Sequence, residues 1–399
     1  MELYLQFGYG MMTHTTELLR AWGAGGTILS PRDLSAPQLV RMANSISAIG
    51  REALLDPQCF AHDCTHNRLV AHEYFQRYQE NPTGSFTGGV ATAGLLNELA
   101  ALARSMGVTR HILPGPVARP VNDDWFSFQE NTITEAPTHF GNDPLIATIA
   151  ISKESILDEA QVEAVVERAA QWNVQGYYIV AESPSPYLID NPVWVANLLI
   201  LASGLKLLGR QVILGYSNHQ FLIAAVANVD VIASGTWLNV RALPSMDKFY
   251  EADDGDISRR TTWYYCPQAL SEYKIPFLDI ARRRGLLADM RPDPSLGSTY
   301  ADMLFSGAAP TSINWGEQNA FRHYLTCLQG QVSVSRHRTY QDTMDAANAL
   351  LDSAQTNLAT LKRNGVLAAD RDFSPILDAN RSALLLLHDA RGERLSRAW

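Results

Sequence analysis

LIATIAI at 145–151, then Val162, Val165, Val166 and Ala169 at helical spacing from a start near Asp158, then GYYIVAE at 176–182, form one strand–helix–strand unit. A short run that is apolar on both faces suits a strand buried between core and covering helices. The intervening helix then carries the chain back to pair in parallel. The same rhythm extends outward in both directions. Apolar runs at 3–8, 27–30, 53–56, 111–114, 211–216 and 230–234 each end at a glycine, a proline or a polar cluster. With 145–151 and 176–182 they make eight. Eight such units over about 240 residues predict an α/β fold of the (β/α)8 TIM-barrel type. Residues 1–243 are read as the barrel. Residues 244–330 are an accessory segment plus barrel closure, and 331–399 a helical C-terminal extension.

Local signals agree. Leu39, Met42, Ala43, Ile46 and Ile49 fall on one helical face after Ser35, a side chain suited to capping, and Pro37 in the first turn, with Gly50 closing the helix. The longest apolar stretch, 193–208, holds Asn197, Ser203, Gly204 and Lys206 and reads as a barrel helix rather than a membrane span. The first strand begins within a few residues of Met1, so no leader peptide is expected. Four cysteines at irregular spacing predict reduced thiols in a cytoplasmic protein.

A net charge of −9 argues against indiscriminate attraction to nucleic acid. The local exception is Arg259, Arg260, Lys274, Arg282 and Arg283, interleaved with Trp263, Tyr264 and Tyr265. These are candidates to track a phosphate backbone and stack bases, against the plainer reading of a solvated face. No dinucleotide-binding, P-loop, zinc-protease or serine-hydrolase signature is present.

Chemistry in a barrel of this kind sits where strands end. The strand ends offer Asp56, Glu182 and His219 as candidate catalytic groups, and Tyr9, Arg32, Gln58, Asn218 and Trp237 as candidate substrate-binding groups. Asp56 is the strongest, because Ala53, Leu54 and Leu55 place it just beyond a buried strand. Each has a structural alternative: a loop anchor for Asp56, a solvated loop for Glu182, a helix opening capped by Asn218 for His219. The loop at 57–92 is long enough to be functional. Within it Cys59, His62, Cys64 and His66 are an alternative metal set, but their spacing matches no familiar zinc pattern, so no metal is expected there.

From about 145 to 241 the order of features resembles the tRNA-guanine transglycosylase family, including its 7-deazaguanine DNA-modifying relatives. The match is clearest at Gly176-Tyr177-Tyr178-Ile179, at Ile213-Leu214-Gly215-Tyr216, and at Val229-Asp230 after Ala225-Val226-Ala227. Leu54-Leu55-Asp56 sits where the family places its barrel-mouth Asp. Tyr265-Cys266-Pro267 and the stretch 319–325 resemble remains of its zinc-binding subdomain. By this resemblance the family's strand-eight nucleophile is replaced by Ala233, with Asp230 nearby. Its base-receiving Gly-Gly reads Val180-Ala181, and its base-reading Gln reads Ile151. Only Cys266 remains of the zinc ligands, so the resemblance implies no zinc cofactor.

Two functions follow as expectations. One is an enzyme acting on the N-glycosidic bond of a purine or 7-deazaguanine base in DNA or RNA, with Asp56 as principal carboxylate, Glu182 or His219 as partner, and Tyr9 as stacking wall. The other is a barrel without transglycosylation activity that binds nucleic acid, protein partners or further copies of itself in a larger assembly. A weaker third is a sugar hydrolase using Asp56 and Glu182.

Overall fold

In a computed structural model, which describes residues 1–60, 64–245, 249 and 261–399, eight parallel strands follow the predicted order. They are β1 (Glu2–Gln6), β2 (Gly26–Leu29), β3 (Glu52–Leu55), β4 (His111–Ile112), β5 (Leu145–Ile151), β6 (Gly176–Ala181), β7 (Gln211–Leu214) and β8 (Val231–Ser234). The sheet runs β3-β2-β1-β8-β7-β6-β5-β4, and β1 pairs with β8, so the sheet curls into a nearly closed (β/α)8 barrel. The seam lies between β3 and β4. The second of these stops after two residues because Pro114 and Pro116 bring no N–H to a ladder. An ion pair from Arg110, just before β4, to Glu52 at the start of β3 (2.8 Å) bridges the seam, and Tyr4 of β1 donates to the same carboxylate at 2.6 Å.

Helices form where the sequence signals them. Helix Ala36–Ser47 begins with a reciprocal capping box between Ser35 and Gln38, and buries Leu39, Met42, Ala43 and Ile46. Asp158 caps Glu159–Ala169 by accepting from the amides of Ala160 and Gln161. Helix Pro192–Leu207 is apolar all round and buried on nearly every side, because the C-terminal helix Ile376–Ala398 packs over it. The C-terminal extension therefore folds back onto the barrel and joins its core.

The segment after β8 is an insertion. It contains an antiparallel hairpin, β9 (Trp263–Cys266) and β10 (Ser271–Lys274), and a helix, Ile275–Arg283. The barrel's closing helix is then Glu317–Val334, which meets the first helix through Trp22 Nε1 donating to Thr326 Oγ1 (3.3 Å). No helix among the described residues is long and apolar enough to cross a membrane.

Candidate functional site

Asp56 follows directly on β3, its amide continuing the ladder to Leu29 O (3.0 Å), and its side chain is fully buried. A buried carboxylate costs several kcal/mol unless donors reach it. Here they come from distant strands. Tyr216 beyond β7 donates to Oδ2 at 2.8 Å, Tyr178 of β6 lies 3.1 Å from the same oxygen, and the amide of Gln58 donates to Oδ1 at 3.1 Å. Burial, reinforced by the Asp56 charge, pushes both tyrosine hydroxyls well above their ordinary range, so they remain protonated donors. Tyr178 also lies 3.3 Å from Gln6 Oε1 at the end of β1. The amide nitrogen of Gln6 is buried and has no partner among the described residues.

The backbone around Asp56 is strained at two points. Gln58 (φ 57°) and Tyr216 (φ 50°) both occupy the left-handed region, at about 1 kcal/mol or more for residues with a Cβ. Each is the residue that aims a donor at the carboxylate. Gly215, just before Tyr216, is required for another reason: a Cβ there would meet the Tyr178 ring at 2.6 Å.

Gln58 connects this cluster to the barrel rim. Its Nε2 donates to Ser30 Oγ (2.9 Å), and its Oε1 accepts from the Arg32 amide (3.0 Å). Ser30 donates on to Asp33 (2.8 Å), which pairs with the Arg32 guanidinium (3.0 Å). Above them opens a cavity of about 810 Å³, lined among the described residues by Tyr9 and Trp237, by Arg32 and Arg68, and by Arg371 from the C-terminal extension. Tyr9 is 70 % exposed, and its carbonyl accepts from Trp237 Nε1 at 3.1 Å. An aromatic and guanidinium-lined cavity in a chain of net charge −9 suits a planar, anionic ligand.

Of the sequence-predicted residues, Asp56, Gln58, Arg32, Tyr9 and Trp237 belong to this one region. Glu182 does not join the Asp56 cluster: buried at the end of β6, it is paired with Arg119 (2.8 Å) and accepts from the Lys153 amide (3.3 Å). His219 is packed among Tyr187, Tyr265, Tyr324 and Phe373, and burial lowers its pKa to about 4, so it is neutral at pH 7 and enclosed. Asn218 is fully buried and turned to its own loop. Its amide donates to Tyr187 O (3.2 Å) and Arg241 O (3.1 Å) and its carbonyl caps Gln220, which uses the whole side chain for loop geometry. Asp230 lies far from Asp56. It precedes β8 and pairs with Lys206 (2.7 Å), at the end of the barrel opposite Asp56.

Cys59 and Cys64 are buried thiols. Cys59 lies against Pro57 O (3.7 Å) and Cys64 against Phe249 O (2.7 Å), while His62 lies outside the described residues. No group of three or more His, Cys, Asp or Glu among the described residues is placed to hold a metal, Cys59, Cys64 and His66 included. A zinc ion does not fit beside Cys266 either. The adjacent His323 already engages Tyr265 O (2.7 Å) and Ser298 Oγ (2.9 Å) with its two ring nitrogens. The basic cluster is dispersed: Arg259 and Arg260 lie outside the described residues, Lys274 sits 5.1 Å from the Trp263 ring, and Arg282 donates to Gly307 O. Arg283 lies beside it on the same helix, exposed. Tyr264 and Tyr265 are buried in the core, which leaves Trp263 alone of the three aromatics with accessible surface for stacking.

The residues that sequence reasoning missed are Gln6, Tyr178, Tyr216 and Arg371. The signal for Tyr178 was a polar-tipped side chain within an otherwise aliphatic strand. Among known proteins, the chain matches no family model and no curated protein, so its chemistry rests on the geometry above.

Proposed function

We propose that this barrel binds a nucleotide unit of DNA or RNA at its mouth and acts on the N-glycosidic bond of a purine or 7-deazaguanine base. The observation that carries this reading is Asp56: fully buried at a strand end, held by two tyrosines on strained or closely packed backbone, and joined through Gln58 to an arginine- and aromatic-lined cavity. The base enters between Tyr9 and Trp237, which line the cavity, and the buried amide nitrogen of Gln6, without a partner among the described residues, is the donor for one of its carbonyl acceptors. Asp56 supplies negative charge beside the anomeric carbon as its bond to the base nitrogen lengthens. The tyrosine hydroxyls stabilise that charge. Buried, reduced thiols accord with action in the cytoplasm.

The test is base exchange: wild-type protein with labelled guanine or a 7-deazaguanine, and single-stranded or duplex DNA and RNA. Label entering the polymer, or unlabelled base leaving it, is the expected result, lost in Asp56→Asn. One observation favours the second reading, a non-catalytic nucleic-acid-binding subunit: Asp56 has neither Glu182 nor Asp230 as a second acid beside it. Oligonucleotide binding with no base released under any condition would establish that reading instead.

A further inference from the structure

Glu272 of β10 is buried and meets two guanidiniums. Arg241, itself only 3 % exposed, lies 3.2 Å from Oε1, and Arg371 lies 2.7 Å from Oε2. Tyr187 adds a hydroxyl donor to Oε1 at 2.5 Å. One buried cation already balances one buried carboxylate, so Arg371 brings a second positive charge that the joint does not need. Among the described residues, Glu317 on the wall of the smaller cleft is the one carboxylate facing it without an ion pair, and the 810 Å³ cavity holds no such carboxylate. His219 is neutral, Asp372 is paired with Lys362 (2.9 Å), and Asp33 across the cavity is paired with Arg32.

The geometry around Arg371 is fixed. Its guanidinium lies over the Trp263 ring, 4.1 Å from the centroid, and its one hydrogen bond among the described residues uses Nη1. Phe373, fully buried and with its amide donating to Ser271 Oγ (2.9 Å), anchors the chain two residues later. On the other side Ala369 holds a left-handed backbone (φ 51°). Nε and Nη2 have no partner among the described residues, and the residue lines both the 810 Å³ cavity and the smaller cleft next to it, where Trp237 and Trp263 also stand. A flat guanidinium with free donors between two aromatic-walled spaces matches the fork that phosphate oxygens accept.

We infer that Arg371, delivered by the C-terminal extension, is a phosphate-binding residue of the barrel site, which holds the phosphodiester beside the bound nucleotide while the next base lies against Trp237 and Trp263. This rests on the nucleic-acid reading of the mouth, and it makes the extension part of the binding site as well as of the fold.

The test is binding of a fluorescein-labelled single-stranded 15-mer, as DNA and as RNA, followed by anisotropy across a salt series. Arg371→Ala is expected to weaken binding about tenfold, and to flatten the slope of log affinity against log salt by about 0.7, the share of one phosphate contact on a single strand. Arg371→Gln keeps a donor for Glu272 and should show the same flattening, which separates lost charge from lost folding. Arg371→Lys should keep the slope and lose part of the affinity. Folded Arg371→Ala and Arg371→Gln proteins with wild-type affinity and slope would overturn the inference and leave the Asp56 chemistry standing. If the Arg371 variants flatten the slope, and Asp56→Asn abolishes base exchange yet binds the oligonucleotide as wild type does, both stand. A wild-type protein that binds neither oligonucleotide at low salt overturns the inference, whereas Asp56-dependent base release from free nucleotides would still support the catalytic reading.

Discussion

Asp56 and Glu272 are both buried carboxylates, and the described residues bring them different donors. Glu272 faces two guanidiniums and a tyrosine, at the junction of the insertion hairpin, the barrel and the C-terminal extension. Among the described residues Asp56 receives two tyrosine hydroxyls and a backbone amide, beneath the 810 Å³ cavity, with two of those donors on left-handed backbone. Ion pairing fixes three parts of the chain to each other. Hydrogen bonding from strained positions holds a charge ready at a strand end, and such strain collects where function needs it. The first arrangement is structural at its centre and gives the site only its outer arginine; the second is the proposed reaction centre.

The largest effect should come from Glu272→Ala, which leaves Arg241 buried without its partner. A loss of about 3–5 kcal/mol in unfolding free energy is expected by chemical denaturation. A loss below about 1 kcal/mol would mean that the joint is not what holds the hairpin and extension to the barrel. Asp56→Asn should do the reverse, reducing base exchange at least 100-fold, about 2.7 kcal/mol of transition-state stabilisation, with far less effect on folding. If instead it lowers stability by several kcal/mol while the remaining folded protein keeps its exchange rate, Asp56 is structural and not the reaction centre. Tyr216→Phe removes one donor to a charged group, and about 1.5–3 kcal/mol should appear in the exchange rate, in stability, or divided between them.

Acid provides a smaller and graded test. His219 and His323 both have folded-state pKa values lowered to about 4, against 6.5 when unfolded. Between those values the unfolded chain binds protons that the native state does not. Stability should therefore fall as pH drops from 6.5 towards 4, by up to about 1.4 kcal/mol per pH unit for each histidine. Unfolding titrations with His219→Phe should show a shallower decline; an unchanged slope would mean that His219 is accessible to protons in the folded state. The smallest effect is expected at Ala369→Gly, an exposed left-handed position, where relief of strain should raise stability by at most about 1 kcal/mol.

The strands were legible because their signal is local. Apolar runs at 145–151 and 176–182 became β5 and β6 with bounds unchanged or shortened by one residue, and the Ser35 and Asp158 caps formed as their neighbours predict. Asp56, Gln58 and Arg32 were legible too, since strand ends in a barrel share one face. Their partners were not. Tyr178 and Tyr216 lie 122 and 160 residues along the chain from Asp56, and only ring closure sets them against it. His219 misled for a related reason: it does follow a strand end, but Tyr265 of the insertion and Phe373 of the extension cover it.

By itself, then, the sequence determined the repeating unit, the order of strands and the end of the barrel at which polar residues gather, because periodicity and capping act over a few residues. Tertiary structure decided which of those residues meet. It turned two tyrosines inward onto one carboxylate, enclosed a histidine, and brought Arg371 from the far end of the chain to the barrel mouth. Those choices depend on packing between segments far apart in the chain, which no local pattern encodes.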